Sequence, residues 1–253
     1  FIQMGYNLVD MIWIGRLGSN AVAAVGAAGM FMWLANGFTM IPRVGGQVSV
    51  GQRLGAGNPE EGAEFARGAL RMGAFLGILY GIVSLLLNKQ LIGFFNLNSP
   101  DVIWDARVYL MITCGLIVFS FLDQVIGGIL AAMGNTVTTF RVTSVGLVIN
   151  LILDPLLIFG IGPLKGMGVA GAAFATVFAQ IIVFVLYLKA VWREPIIFGR
   201  IHLFARTPKE HIREIVKIGL PSAMQDALMS MISMVIARFI AGWGDAAVAV
   251  QKV

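Results

Sequence analysis

Charge is scarce in this sequence. Asp, Glu, Lys and Arg make up 12% of 253 residues, about half of what a soluble domain carries. Surface that poor in charge cannot cover a globule in water, which excludes a soluble catalytic domain, a nucleic-acid-binding module and a disordered tail. Cysteine is nearly absent as well: Cys114 stands alone in an apolar run, so a disulfide-stapled secreted fold is excluded. The two histidines, His202 and His211, lack Cys or acidic residues at metal-ligand spacing, and no transition-metal site is expected. An initiator Met is missing too, and the chain opens inside an apolar segment, so it is expected to be a fragment. What fills the sequence is hydrophobe, 58% of residues with a mean hydropathy of +0.86. Such a chain belongs in lipid, where each helical span takes about 20 mostly apolar residues.

Windows of low charge fall at 1–15, 22–51, 69–87, 108–131, 142–160, 169–188 and 218–241, and an eighth begins near Ala246. The expected fold is all-α, a polytopic membrane helix bundle. Successive spans alternate direction, so their connections alternate sides. The net charge of +5 is divided unevenly between those sides: one set of connections and flanks, from Arg53 to Arg71, at Arg141 and from Lys189 to Lys217, holds eleven Lys and Arg, and the other holds five. By the positive-inside rule the richer side is cytoplasmic.

The longest connection contains Thr207-Pro208-Lys209-Glu210, a helix-start signature with Pro at the first helical position and Glu where a capping box places it. A helix should begin there. With Ile212, Ile215, Val216 and Ile218 on one face and Arg213, Glu214 and Lys217 on another, it is expected to lie at the cytoplasmic interface and join two halves. Ile14-Gly15-Arg16 recurs as Ile236-Ala237-Arg238, each followed by an Ala/Val run, as parallel lobes would produce, with chance similarity of alanine-rich segments as the other reading. The expected organisation is therefore an N-terminal lobe over 1–188, a cytoplasmic linker over 189–217, and the start of a second lobe over 218–253.

Four carboxyls stand inside apolar segments: Asp10, Asp123, Asp154 and Asp226. A carboxylate in a bilayer costs a few kcal/mol or more, so each is a candidate for function. Gln3 and Tyr6 share a helical face with Asp10, and Asn150 precedes Asp154 by one turn. Counted from the loops at Arg16 and Gly160, Asp10 and Asp154 both lie about 9 Å inside the non-basic boundary. Two carboxyls at one depth can share a cavity that exchanges protons or binds a small cation; the other reading is polar glue between helices. Pro155 and Pro221 are hinge candidates, with a static kink as the alternative. Asp123, beside Gln124, and Asp226, beside Gln225, show no partner in the sequence. Arg43 could neutralise Asp123 or snorkel to the interface, and the snorkel is the favoured reading. Gly166 to Gly171 matches a dinucleotide-binding pattern, but no strand precedes it, and close helix packing is the better reading.

Several segments together resemble the multidrug and toxic compound extrusion (MATE) family: Tyr6-Asn7-Leu8-Val9-Asp10, Gly15-Arg16-Leu17-Gly18, Ala21 to Gly26, Gly45-Gly46-Gln47, Leu54 to Asn58, Asn150 to Pro155 and Gly166 to Gly171. The acidic residues in the first lobe are similar to those of its DinF-like prokaryotic branch. The resemblance implies two lobes of six spans, the second cut short here. It implies a multi-pass, monomeric transporter of the inner (plasma) membrane rather than an enzyme, with no cofactor, exporting small cationic amphipathic compounds in exchange for H+ or Na+. It also implies that Asp10 and Asp154 are the coupling carboxyls, with Na+ held by Asp10, Asp154 and Asn150 if sodium is the ion. Gln3, Tyr6, Asn150, Tyr109 and Thr176 would line the cavity. The other branch has an acidic residue where Met229 stands here, which leaves ion coupling to the first lobe. A lipid-linked flippase of the same architecture, or an ion channel, is the alternative; the carboxyls speak against the flippase, which would be expected to carry a cationic cavity.

Overall fold

A computed structural model describes residues 11–160, 166–201 and 205–241. Among them every regular element is helical. The described part of α1 covers 11–15. It is followed by α2 (Ser19–Gly55), α3 (Pro59–Leu86), the short α4 (Asn88–Gly93), α5 (Pro100–Gly115), α6 (Val118–Ala132), α7 (Thr136–Phe159), α8 (Gly168–Val191), a 3-10 turn (Phe198–Arg200) and α9 (Lys209–Ala241).

Local signals set several of these boundaries. Asn58 accepts a hydrogen bond from the Glu61 N–H at 3.2 Å, Pro59 opens α3, and Glu60 and Glu61 occupy its first turn, where the helix dipole favours them. Asn135 caps α7 through the Thr138 N–H, also at 3.2 Å. Five described helices are long and apolar enough to cross a membrane, and α5 with α6 makes a sixth span bent by 45°. Large apolar side chains point outward along them, among them Phe75, Leu86, Phe140 and Trp192, as a lipid-facing surface requires.

Three expectations need correction. The apolar window at 108–131 is not one straight helix: it breaks at residues 116–117, between Gly115 and Val118. No proline stands there, whereas Pro155 and Pro221 lie inside uninterrupted helices. The break is accommodated by α3. A Cβ on Gly81 would sit 2.9 Å from the Gly115 carbonyl oxygen, and one on Gly77 2.8 Å from the Val118 Cα, so only glycines let α3 lie against the opened turn. Second, the helix that begins in the linker does not stop at the interface but continues into the seventh span as one element, α9. Third, Ile212 is 39% exposed while Ile215 is fully buried, because the inward face of the α9 start is carried by His211 and Ile215 instead.

Helices α2 and α9 cross backbone to backbone. A Cβ on Gly37 would lie 3.0 Å from the Ala227 nitrogen, one on Gly45 would run into the Ile215 carbonyl, and one on Gly219 into the Ile41 carbonyl. The contacts descend α9 as they ascend α2, so the pair is antiparallel. At the basic end of the bundle, ion pairs tie the same helices together. Arg53 meets Glu61 at 2.9 Å and Glu214 at 3.2 Å, and His211 lies 3.5 Å from Glu64 while stacking on Phe65 at 4.2 Å. Thr207 accepts from Arg67 Nε at 3.3 Å, so its hydroxyl ties the chain just before α9 to α3. Arg53 also lies over the Phe65 ring, and at the opposite end three more arginines fold over rings: Arg16 over Trp13, Arg107 over Trp104 and Arg238 over Phe94.

Candidate functional site

The described part of the expected site is centred on α7. Asn150 and Asp154 are one turn apart, both fully buried, and Asn150 Nδ2 donates to Asp154 Oδ1 at 3.2 Å. An i, i+4 pair needs only the helix to form, so this contact is local. What makes it interior is the packing of α8. Gly171 meets the α7 backbone where a Cβ would collide with the Leu157 carbonyl, and the Met167 N–H donates to that same carbonyl at 2.9 Å. Leu157 is three residues beyond Asp154, so the start of α8 is fixed to α7 within one turn of the carboxyl. Close packing is thus what Gly171 does, as expected for the glycine-rich segment. Pro155 contributes no N–H to the ladder, yet α7 continues to Phe159.

Tyr109, on α5, is 3% exposed and belongs to the same apolar core as Ile158 on α7 and Ala172 and Ala173 on α8. Thr176, on α8, is buried, but its hydroxyl donates to the Ala172 carbonyl of its own helix at 3.0 Å. Trp13, next to the start of the described chain, packs edge-on against Phe159 at 6.3 Å, which brings α1 to the end of α7 that follows Asp154. Gln3, Tyr6 and Asp10 lie outside the described residues, as does His202. Asp226 is half-buried on α9, and Met229 is 63% exposed there.

A second polar group occupies the bundle between α2 and α6. Arg43 Nη1 donates to Gln124 Oε1 at 3.4 Å, and Gln124 Nε2 donates to Asn36 Oδ1 at 2.9 Å. Arg43 therefore does not snorkel: it is half-buried and held by an amide. Asp123, the neighbour of Gln124, is 9% exposed. Asn36 was not singled out in the sequence, although an amide in the middle of an apolar span was the available signal. Among the described residues no group of three or more His, Cys, Asp or Glu could hold a metal ion.

Comparison with known proteins bears on this arrangement. The MatE family model matches residues 1–156. The chain is 27% identical over 257 residues to YoeA, a probable multidrug resistance protein of Bacillus subtilis (strain 168), covering all of this chain and 55% of that protein. It is 26% identical over 253 residues to an FAD transporter of Shewanella oneidensis, covering 97% of this chain and 54% of that one. Among solved structures, the inward-facing conformation of a multidrug resistance MATE family transporter of the MOP superfamily superposes with a TM-score of 0.89 at 26% identity, covering 99% of this chain and 56% of that one. The chain spans about half the length of the curated relatives it matches.

Proposed function

This chain belongs to the MatE family, and from that premise we propose that the whole protein is a secondary antiporter that exports small cationic, amphipathic compounds across the plasma membrane in exchange for H+ or Na+. Its basic end faces the cytoplasm, it works as a monomer, and Asp154 with Asn150 belongs to the site where the coupling cation binds. The observation that carries this reading is the fully buried Asn150–Asp154 pair inside an apolar span. A carboxyl placed there costs several kcal/mol unless it is used or paired. Asp10 is assigned to the same site, with Gln3, Tyr6, Tyr109 and Thr176 around it.

Antiport follows from charge. An anionic pocket in a low-dielectric interior binds one cation far better than two, because two like charges a few ångströms apart repel strongly. Cation entry therefore displaces a cationic substrate, and substrate entry displaces the cation. A flippase reading would want cationic side chains in the interior, and the half-buried Arg43 is already held by Gln124.

The test is dye efflux from proteoliposomes holding the full-length protein, under separately imposed proton and sodium gradients. Wild type should move dye only with a gradient, and Asp154→Asn should lose at least about 100-fold of that flux. Gradient-independent flux would make the protein a channel, and an Asp154→Asn variant at the wild-type rate would remove the site.

A further inference from the structure

Asp154 has a counterpart nearer the basic end. Asp123 on α6 is 9% exposed, and its Oδ1 is buried with no hydrogen-bond partner among the described residues. Its sequence neighbour Gln124 takes the hydrogen bond from Arg43, leaving that carboxyl oxygen outside the α2–α6 network. The Tyr187 hydroxyl lies 3.2 Å from where a Cβ on Gly127 would be, one turn from Asp123 on the same face of α6. Arg43 from α2 and Tyr187 from α8 are the charged and titratable groups brought to this region. From α3 come Gly73 and Gly77, packed on Val125 and Phe121, and from α7 the Thr139 side chain.

Asp123 is also part of a series. Counted at 1.5 Å per residue from the basic ends of their helices, Thr139 and Tyr187 lie about 5 Å in, Asp123 about 14 Å, Gln180 about 17 Å, Asn150 and Thr176 about 22 Å, and Asp154 about 27 Å. Thr176, Gln180 and Tyr187 follow one another at spacings of four and seven, so they share one face of α8. Three members carry a buried oxygen without a partner among the described residues, Asp123 Oδ1, Gln180 Oε1 and Asn150 Oδ1, while the Thr139 side chain hydrogen-bonds with that of Tyr187. Each unpartnered buried acceptor costs about 1–3 kcal/mol, so a succession of three across α6, α7 and α8 is expensive unless it serves something that passes. Acceptors without donors are suited to a mobile proton, the one cation that needs no coordination shell.

We propose that Asp123 is a second proton-carrying carboxyl, the station through which protons move between the level of Asp154 and the basic end of the bundle, along the buried polar face of α8. The step is a plain proton transfer. An O–H bond forms on an Asp123 oxygen as the O–H bond of the donor breaks, the donor being a hydronium or a hydroxyl of the series that takes up a proton on its other side in the same event; the reverse occurs at the exit, and no electron changes hands. The inference rests on the antiporter reading above, with H+ as the ion.

The test uses the full-length protein in proteoliposomes and two readouts. Infrared difference spectra on stepping the pH should show a carboxyl C=O band that titrates in wild type and is missing in Asp123→Asn. Proton-driven dye efflux should fall at least tenfold in Asp123→Asn with dye affinity within twofold of wild type. Asp123→Glu should restore efflux with a displaced pH profile, which a merely structural role would not produce. A wild type whose efflux ignores the proton gradient defeats the antiporter reading and this inference together. A proton-coupled wild type with an equally coupled Asp123→Asn variant that keeps the band overturns this inference alone.

Discussion

Among the described residues the bundle holds two buried carboxyls, in contrasting surroundings. Asp154 is bonded to an amide on its own helix and sits where α8 presses its backbone onto α7. Asp123 stands beside a chain of side-chain hydrogen bonds, Asn36 to Gln124 to Arg43, that joins α2 to α6, and its Oδ1 takes no part in it. The first region spends its polar contact on the carboxyl; the second spends it on holding helices together. A polar residue inside a membrane bundle is therefore not read from burial alone. What decides its role is whether its partners use up its hydrogen-bonding capacity, and whether they lie on its own helix or on another.

Substitutions can break this contrast, and the largest effect is expected at Gly171. Its Cβ would enter the Leu157 carbonyl, so Gly171→Ala should destabilise the Asp154 region by about 3 kcal/mol, seen as a marked fall in the detergent melting temperature. The matching change in the other region, Gly128→Ala, meets the Arg43 carbonyl at 3.2 Å and should cost about 1 kcal/mol or less. Equal costs would erase the contrast in packing. Next comes Asn150→Ala, which removes the donor to a buried carboxylate. A hydrogen bond to a charged group is worth about 1.5–3 kcal/mol, so gradient-driven efflux should drop roughly tenfold or more. Gln124→Leu should act differently, lowering stability by about 1–2 kcal/mol with transport kept within a few-fold, because it cuts the helix-joining chain and spares Asp123. The smallest effect is expected from Thr176→Val, whose lost bond is to its own helix and is worth about 1 kcal/mol at most. Flux there should stay within twofold, and a tenfold loss would move the Thr176 hydroxyl into the Asp154 site.

The same contrast explains what the sequence could reveal. The Asn150–Asp154 pair was legible because it is one helical turn, set by spacing. The Arg43–Gln124 contact bridges 81 residues and the Gln124–Asn36 contact 88, and nothing in spacing announces contacts of that range. The spans themselves were legible as apolar windows and correspond to α2, α3, the α5–α6 pair, α7, α8 and α9. The 45° break at 116–117 was not, because its cause lies on another helix: Gly77 and Gly81 of α3 leave room for it, while the prolines that drew attention sit in unbroken helices. His211 was set aside for lack of metal spacing, and its contact with Glu64 became visible only once α9 lay against α3.

The crossing of α2 and α9 has a mechanical consequence. Where two helices meet through interlocked side chains, turning one against the other means resetting many rotamers together, and the joint resists like meshed gears. At Gly37, Gly45 and Gly219 there are no side chains to mesh. The two rods lie backbone against backbone from Gly37 and Ala227 to Gly45 and Ile215 and cannot come closer. Turning one on the other would meet few interlocked side chains at those glycines, and the Arg53–Glu214 ion pair at the basic end would take the strain of such a movement.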